Sequence, residues 1–319
     1  MKYLLVLFLC LVLPLHLAEA QNNLQYGSEQ LNIDLEPLFP APESEFTASV
    51  NDYALPIQGV GITWHVDGKL VKEAADARDL KLKTKTLGSN TTVKVSVILP
   101  SGGVVSVEKV IKPVFLDIII EPQTRTPAFY AGRALPSSGS TVNATAILNG
   151  NTGNAGNLLY TWRLNNKVLE GGSVRGKNTI TFTMPLGLFA TLNLEVRTAT
   201  GEPMARRSFN VTNQAPNLSF YTVSTLYGLT EKAVAESIPL IGSSVTLRAE
   251  PFYLDLATYN NPDHLEWKIG GTYSKNDNGN PYEVTLAAQG GSGVTNVNFH
   301  VRNTVHLLQG AQDSFRVTY

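Results

Sequence analysis

The chain has 319 residues, with 25 lysines and arginines against 26 aspartates and glutamates, which gives a formal net charge of −1. This balance, without a long basic run, argues against proteins that bind nucleic acids through a basic surface. The length suits two or three domains that each bury a core of their own.

Residues 1–20 have the pattern of a secretory signal peptide. Lys2 supplies a positive charge, an apolar run covers residues 4–17, and small residues suit cleavage after Ala20. We therefore expect an exported protein, in the periplasm, outside the cell or at the cell surface, with no membrane span after cleavage. The one cysteine, Cys10, lies inside the apolar run, where it is poorly placed for a lipoprotein anchor. The mature chain would then fold without disulfides, which favours a bacterial origin.

Three tryptophans mark an internal repeat. Trp64, Trp162 and Trp267 recur at intervals of about 100 residues, a spacing typical of duplicated domains. Each lies in a segment of alternating apolar and polar residues, which predicts a half-buried β-strand. A second alternating strand ends 33, 34 and 34 residues after the tryptophan (64 to 97, 162 to 196, 267 to 301). Two further strands are predicted in each repeat, at residues 46–50 and 80–82, 142–146 and 180–182, and 245–249 and 284–286.

This pattern predicts an all-β fold of three tandem immunoglobulin-like antiparallel β-sandwiches after the signal peptide. The predicted domains are residues 21–113, 114–214 and 215–319, and joints this short predict a fairly stiff array. One short helix is predicted near residues 230–237. The predicted structural core takes one tryptophan and one valine from each repeat: Trp64, Trp162, Trp267, Val97, Val196 and Val301.

The three tryptophan strands resemble one another and a known type of module. They read Trp-His-Val-Asp-Gly-Lys at 64–69, Trp-Arg-Leu-Asn-Asn-Lys at 162–167 and Trp-Lys-Ile-Gly-Gly at 267–271. This resembles the third strand of bacterial immunoglobulin-like and PKD-type modules, in which a core tryptophan is followed by an apolar residue and a tight turn. The resemblance covers the mature chain as a tandem array. It implies a β-sandwich fold in a cell-surface setting, and it supplies no catalytic residue.

No group of residues in the sequence predicts an active site. A Gly-x-Ser-x-Gly motif is absent, and no acid pair or nucleophile with a base can be assembled, so we predict no enzyme, no catalytic residue and no cofactor. The mature histidines lack the close sequence spacing that lets two share a metal, so we predict no metal site: His65, His264, His300 and His306. Residues 275–280 are predicted to form a hairpin turn rather than a calcium loop.

Two functional hypotheses remain from the sequence. The first is a structural or interaction protein of a bacterial envelope, such as a stalk, adhesin or pilus-associated component. It would bind protein partners, with glycans as a second class of partner, by loops and strand edges. The second is a carbohydrate-binding or enzyme-accessory module whose aromatic side chains stack on sugars. Its candidate residues, for which packing in a core or between domains is the competing and favoured interpretation, are Phe129, Tyr130, Phe252 and Tyr253.

Overall fold

The computed structural model describes residues 31–52, 61–99, 102–150, 152–274, 279–288 and 290–319. The predicted signal peptide and most of the predicted turn at 275–280 lie outside the described residues. The described strands form six sheets, two for each repeat, and nearly all of their pairings are antiparallel. The predicted all-β fold is therefore confirmed.

The first repeat contributes seven strands and two sheets. One sheet has the order β1-β2-β5 and the other has the order β4-β3-β6-β7. In β6 every second residue is buried, because successive side chains of a strand point to opposite faces. The strands are β1 (Leu31–Glu36), β2 (Glu45–Asp52), β3 (Ile62–Val66), β4 (Lys69–Leu70), β5 (Asp79–Lys83), β6 (Thr91–Ile98) and β7 (Val104–Ile111).

The second repeat reproduces this arrangement strand for strand. Its sheets have the orders β12-β9-β8 and β11-β10-β13-β14, so the fourth strand again lies beside the third, in the second sheet. Its core lies between the two sheets, as in other immunoglobulin-like sandwiches. The strands are β8 (Phe115–Pro122), β9 (Thr141–Asn149), β10 (Leu159–Leu164), β11 (Lys167–Arg175), β12 (Thr179–Thr183), β13 (Phe189–Arg197) and β14 (Pro203–Thr212).

The third repeat keeps the same plan with additions. Its sheets have the orders β16-β15-β18-β21 and β17-β23-β22-β19-β20, and the short β17 pairs in parallel with β23. The elements are β15 (Asn217–Ser224), β16 (Gly228–Ala233), β17 (Ser237–Pro239), β18 (Ser244–Phe252), α1 (Leu256–Asn260), β19 (His264–Ile269), β20 (Thr272–Ser274), β21 (Glu283–Ala287), β22 (Val294–Arg302) and β23 (Gly310–Thr318).

The helix predicted near residues 230–237 is wrong. The chain turns at residues 225–227, and β16 begins at Gly228, whose φ is 74°. Residues 230–233 pair with β15 as part of β16, and Ser237 begins β17. Pairing with a neighbouring strand outweighs the local helix preference of Glu231, Lys232 and Ala233. The described helix lies later in the chain, where Asp255 caps α1 by accepting a hydrogen bond from Ala257 N at 2.9 Å.

Contacts divide the chain into two compact units. The first takes described residues within 1–34, 48–80 and 92–109, all from the first repeat. The second takes residues 35–47, 81–91 and 110–319, and so contains the second and third repeats entire. No helix in the described part of the chain has the length and apolar character needed to cross a membrane.

Candidate functional site

The three tryptophans occupy equivalent positions inside their sandwiches. Trp64, Trp162 and Trp267 are 0%, 2% and 1% exposed. In each repeat the residue two positions before the tryptophan pairs with the partner valine: Ile62 with Val97, Tyr160 with Val196, and Leu265 with Val301. All three valines are buried. These rings are therefore out of reach of a ligand and serve packing.

Each indole N–H group also finds the same kind of partner. The Nε1 atoms of Trp64, Trp162 and Trp267 donate to main-chain carbonyl oxygens of Ala77 at 2.8 Å, Lys177 at 3.0 Å and Pro281 at 3.1 Å. The acceptors follow the tryptophans by 13, 15 and 14 residues. The bond ties the tryptophan strand to the segment just before β5, β12 or β21, and it satisfies a polar group that burial would otherwise leave without a partner.

The aromatic residues considered for sugar stacking lie instead between the second and third repeats. Phe252 and Tyr253 are 9% and 8% exposed and form a buried cluster with Tyr221, against which Phe129 packs. The Phe129 and Tyr221 rings meet edge to face with centroids 5.1 Å apart. The hydroxyl groups of Tyr130 and Tyr253 are hydrogen-bonded at 2.8 Å. Packing between repeats therefore accounts for these side chains.

A buried polar network continues this contact. Gln309, which is 1% exposed, donates from Nε2 to Ser137 Oγ at 2.8 Å and to Ser138 O at 2.7 Å. Its Oε1 atom accepts from Asp255 N at 2.8 Å. Ser137 Oγ in turn donates to Tyr253 O at 2.7 Å. One side chain of the third repeat thus satisfies polar groups of both repeats, with no solvent access.

Main-chain bonds and a carboxylate reinforce the network. Tyr253 N donates to Arg125 O at 2.7 Å, and Arg125 N donates to Leu254 O at 2.7 Å, so the segment after β8 pairs with the segment after β18. Asp255, besides capping α1, accepts from Thr141 N of the second repeat at 2.8 Å. The backbones of the two repeats are therefore joined directly, not only through side chains.

An ion pair also links the second and third repeats. Arg125 Nη2 lies 2.9 Å from Glu250 Oε2, and the Glu250 side chain is 1% exposed. The Arg125 guanidinium also lies 4.8 Å from the centroid of the Tyr259 ring. A buried carboxylate needs such a partner, because removing its charge from water is costly. We call the set Arg125, Tyr130, Ser137, Glu250, Tyr253, Asp255 and Gln309 the 2–3 joint.

A second feature lies on the outer face of the third repeat. An open cavity of about 560 Å³ is bordered by residues of β19, β22 and β23, among them Glu266, Lys268, His300 and Gln312. His264 Nε2 lies 3.4 Å from Glu266 Oε2, and Lys268 Nζ lies 3.0 Å from Glu266 Oε1. The His264 and His300 rings have centroids 5.2 Å apart. We call this surface the outer groove.

The environment of the outer groove shifts two of its pKa values. The hydrogen bond from Lys268 is the main reason that the pKa of the Glu266 carboxyl group is lowered. Burial is the main reason that the pKa of His300 is lowered, and the nearby His264 adds to the effect. The groove therefore combines an ionised carboxylate with an imidazole that favours its neutral form.

The sequence identified the tryptophans and four aromatic residues of the contact between the second and third repeats, but it missed the polar network there and the outer groove. The mature histidines lack close spacing in the sequence, yet the register of β19 and β22 brings His264 and His300 side by side. The predicted absence of a metal rested on that spacing. Asp255 could have been noticed in the sequence, because aspartate is a preferred residue at the start of a helix and Asp255 precedes α1. Gln309 and Ser137 resemble ordinary loop residues, and nothing in the sequence marks them as buried. His65 and His306 lie away from this pair, in β3 and before β23.

Comparison with known proteins does not identify a function for this chain. No protein-family model matches the chain, and no curated protein matches its sequence. Three N-terminal domains of the highly immunogenic outer capsid protein of bacteriophage RB49 are similar at 13% identity and a TM-score of 0.26, over 91% of this chain and 98% of that one. The central fibronectin-III array of RIM-binding protein is similar at 11% identity and a TM-score of 0.29, over 90% and 95%. A bacterial ice-binding adhesin is similar at 12% identity and a TM-score of 0.26, over 90% and 96%. Since likenesses this weak carry no argument, the fold assignment rests on the strand order described above.

Proposed function

We propose that this chain is an exported structural or interaction protein of a bacterial cell envelope: a stalk, adhesin or pilus-associated component without catalytic activity. In this proposal residues 1–20 are a cleaved signal peptide, and residues 21–113, 114–214 and 215–319 are three domains. Loops and strand edges of the domains bind the partners, which are other proteins of the envelope.

The 2–3 joint is the observation that supports this function. Contacts between domains of one chain are ordinarily loose, so relative motion is the default expectation. Here Gln309 and Ser137 are 1% and 0% exposed, and their hydrogen bonds cross between repeats. Bending would leave several buried polar groups unpaired, at about 1–3 kcal/mol each. A stiff connection of this kind suits a protein whose task is to hold surfaces at a set distance and angle.

Strand edges provide the surfaces to be held. In the second repeat β11 is an edge strand of nine residues, and its Val168 and Val174 side chains are 39% and 36% exposed. The outer side of such a strand has unpaired N–H and C=O groups, which can add a strand from another chain. The carbohydrate-binding alternative receives no comparable support, because Phe252 and Tyr253 are buried in the joint.

Stiffness of the joint can be measured with spin labels on the full mature chain. Cleavage after Ala20 removes the one cysteine, so labels at Ser208→Cys in β14 and Lys232→Cys in β16 are specific. Both positions are exposed. We expect one narrow distance distribution between the labels. It should broaden in Gln309→Ala and stay narrow in the matched surface variant Gln312→Ala. A broad distribution in the parent protein would contradict a spacer role.

Location tests the other half of the proposal. In the cells that make this protein, fractionation and protease treatment of intact cells should place the mature chain in the envelope or outside it, with residues 1–20 removed. Recovery of the full-length chain in the cytoplasm would contradict an envelope function, whatever the stiffness of the joint.

A further inference from the structure

The outer groove gathers three metal-ligating side chains on one face of one sheet. In β19 the buried Trp267 points into the core, so His264 and Glu266 both lie on the outer face, two residues apart. In the antiparallel register Glu266 pairs directly with His300 of β22. Two neighbouring strands therefore fix the backbone positions of all three side chains.

The distances suit coordination of one ion. One ligand atom from each of His264, Glu266 and His300 lies within 4.8 Å of the other two. Ligands at zinc distances of about 2.0–2.2 Å in a tetrahedron lie about 3.4 Å from one another. The His264 to Glu266 separation of 3.4 Å already meets this value. Because all three residues are half-buried rather than locked in the core, a small rotation of the His300 ring can close the set.

The chemistry of the donors selects a class of metal. Two imidazole nitrogens and one carboxylate oxygen suit Zn²⁺ and similar transition ions, whereas Ca²⁺ takes six to eight oxygen ligands. Lys268 occupies only Glu266 Oε1, at 3.0 Å, and leaves Oε2 facing His264. The Lys268 ammonium and the Arg302 guanidinium are neighbouring charges that oppose a cation.

We propose that His264, Glu266 and His300 form a binding site for a divalent transition-metal ion, with Zn²⁺ as the reference ion. Three protein ligands leave one tetrahedral position open toward the outer groove, where water or a ligand from outside can complete the shell. The site lies wholly within the third repeat, so it neither requires the 2–3 joint nor depends on the proposed envelope role.

Calorimetric titration of the full mature chain with ZnCl₂, after removal of metal with EDTA, tests the site. We expect one Zn²⁺ per chain and no comparable binding of CaCl₂. His264→Ala and His300→Ala should each weaken binding by more than about tenfold, the minimum cost of losing a group that merely orients a metal ligand. Lys268→Ala should bind as tightly as the parent or more tightly. His306→Ala, which removes an exposed histidine of the same repeat, is the matched control and should bind like the parent.

A second variant separates ligand loss from misfolding, and a spectroscopic measurement counts the imidazole ligands of the bound zinc. His300→Gln retains polarity and approximate size, so it separates ligand loss from misfolding if His300→Ala is unstable. X-ray absorption at the zinc edge should show two imidazole ligands in the parent protein and one in His300→Gln. Failure of the parent chain to bind zinc overturns the proposal. Equal affinity in the parent and His300→Gln, or equal losses in His300→Gln and His306→Ala, overturns it as well.

Discussion

At the scale of single residues, the buried polar atoms distinguish this chain from a generic sandwich. A tryptophan ring fills a core by its size alone, but its N–H group must be satisfied when the ring is buried. In all three repeats a main-chain carbonyl oxygen located 13 to 15 residues later accepts this bond. The tryptophan therefore fixes the path of the chain before β5, β12 or β21 as well as the packing around it.

The hydrogen bond between the hydroxyl groups of Tyr130 and Tyr253 makes the free energy of unfolding vary with pH in the alkaline range. The hydrogen bond with Tyr130, followed by burial, raises the pKa of Tyr253 to about 12, whereas tyrosine in an unfolded chain titrates near 10. The folded protein thus holds this proton more tightly than the unfolded chain. The corresponding contribution to the free energy of unfolding is complete below pH 10 and is lost as the pH rises toward 12.

We therefore expect Tyr130→Phe to reduce the alkaline loss of stability. Denaturant unfolding followed at pH 8, 10 and 11.5 should show a decline for the parent chain and a shallower decline for the variant. Burial also raises the pKa values of Tyr221, Tyr259 and Tyr282, so the difference between the two proteins is the informative quantity. Parallel declines would show that the Tyr253 hydroxyl group does not titrate as described.

At the scale of elements, the joint is built from loops whose bonds cross long stretches of sequence. Gln309 and Ser137 are separated by 172 residues along the chain. Gln309 precedes β23 and reaches the loop before β9, while Asp255 starts α1 and holds the first residue of β9. The first residues of β9, α1 and β23 thus lie next to the same buried hydrogen bonds, which fix where these elements begin.

Gln309→Ala should therefore destabilise the protein strongly. The substitution removes three hydrogen bonds, and it leaves the buried Asp255 N and Ser137 Oγ without this partner. At about 1–3 kcal/mol for an unsatisfied buried group, we expect the free energy of unfolding to fall by about 2–4 kcal/mol. Urea unfolding measures this loss, with the exposed Gln312→Ala in β23 as a control. A change within about 0.5 kcal/mol, as is usual for surface positions, would contradict the role given to the network.

The core strands were predictable from sequence because apolar and polar residues alternate along them, and in β6 the burial alternates in the same way. The alternation around Trp162 and Val196 gave β10 and β13, and the repeat distance gave their equivalents. No such periodicity governs a contact between loops. Glutamine is usually exposed in folded proteins, so the sequence gives no reason to expect that Gln309 is buried. Only the folded chain shows which groups its side chain contacts.

The same limit applies to the outer groove. Period two correctly implies that His264 and Glu266 share a face, but the pairing of Glu266 with His300 depends on the register of two strands. A shift of one residue in that register would move His300 to the other face of the sheet. The failed helix prediction near residues 230–237 has a related cause, because pairing with β15 decides the conformation of β16.

At the scale of the whole molecule, the second and third repeats belong to one compact unit. In a tandem array the stability of each repeat is the sum of its own folding free energy and a term for the interface with its neighbour. The 2–3 joint supplies an interface of buried hydrogen bonds and an ion pair. Loss of structure in one repeat should therefore lower the stability of the other.

Hydrogen exchange on the full mature chain tests this coupling with Trp162→Phe. The variant loses the bond to Lys177 O and leaves a cavity in the second core, which should cost about 2–3 kcal/mol. Amide protection should fall in β13, which pairs with the altered strand. It should also fall in β22 of the third repeat, since an unfolded second repeat no longer supplies Ser137 and Arg125 to the joint. Tyr227→Phe, at a side chain that is 84% exposed, should leave both strands unchanged. Loss of protection in β13 with full protection retained in β22 would mean that the repeats unfold independently, and a chain with that behaviour lacks the stiff connection required of a spacer.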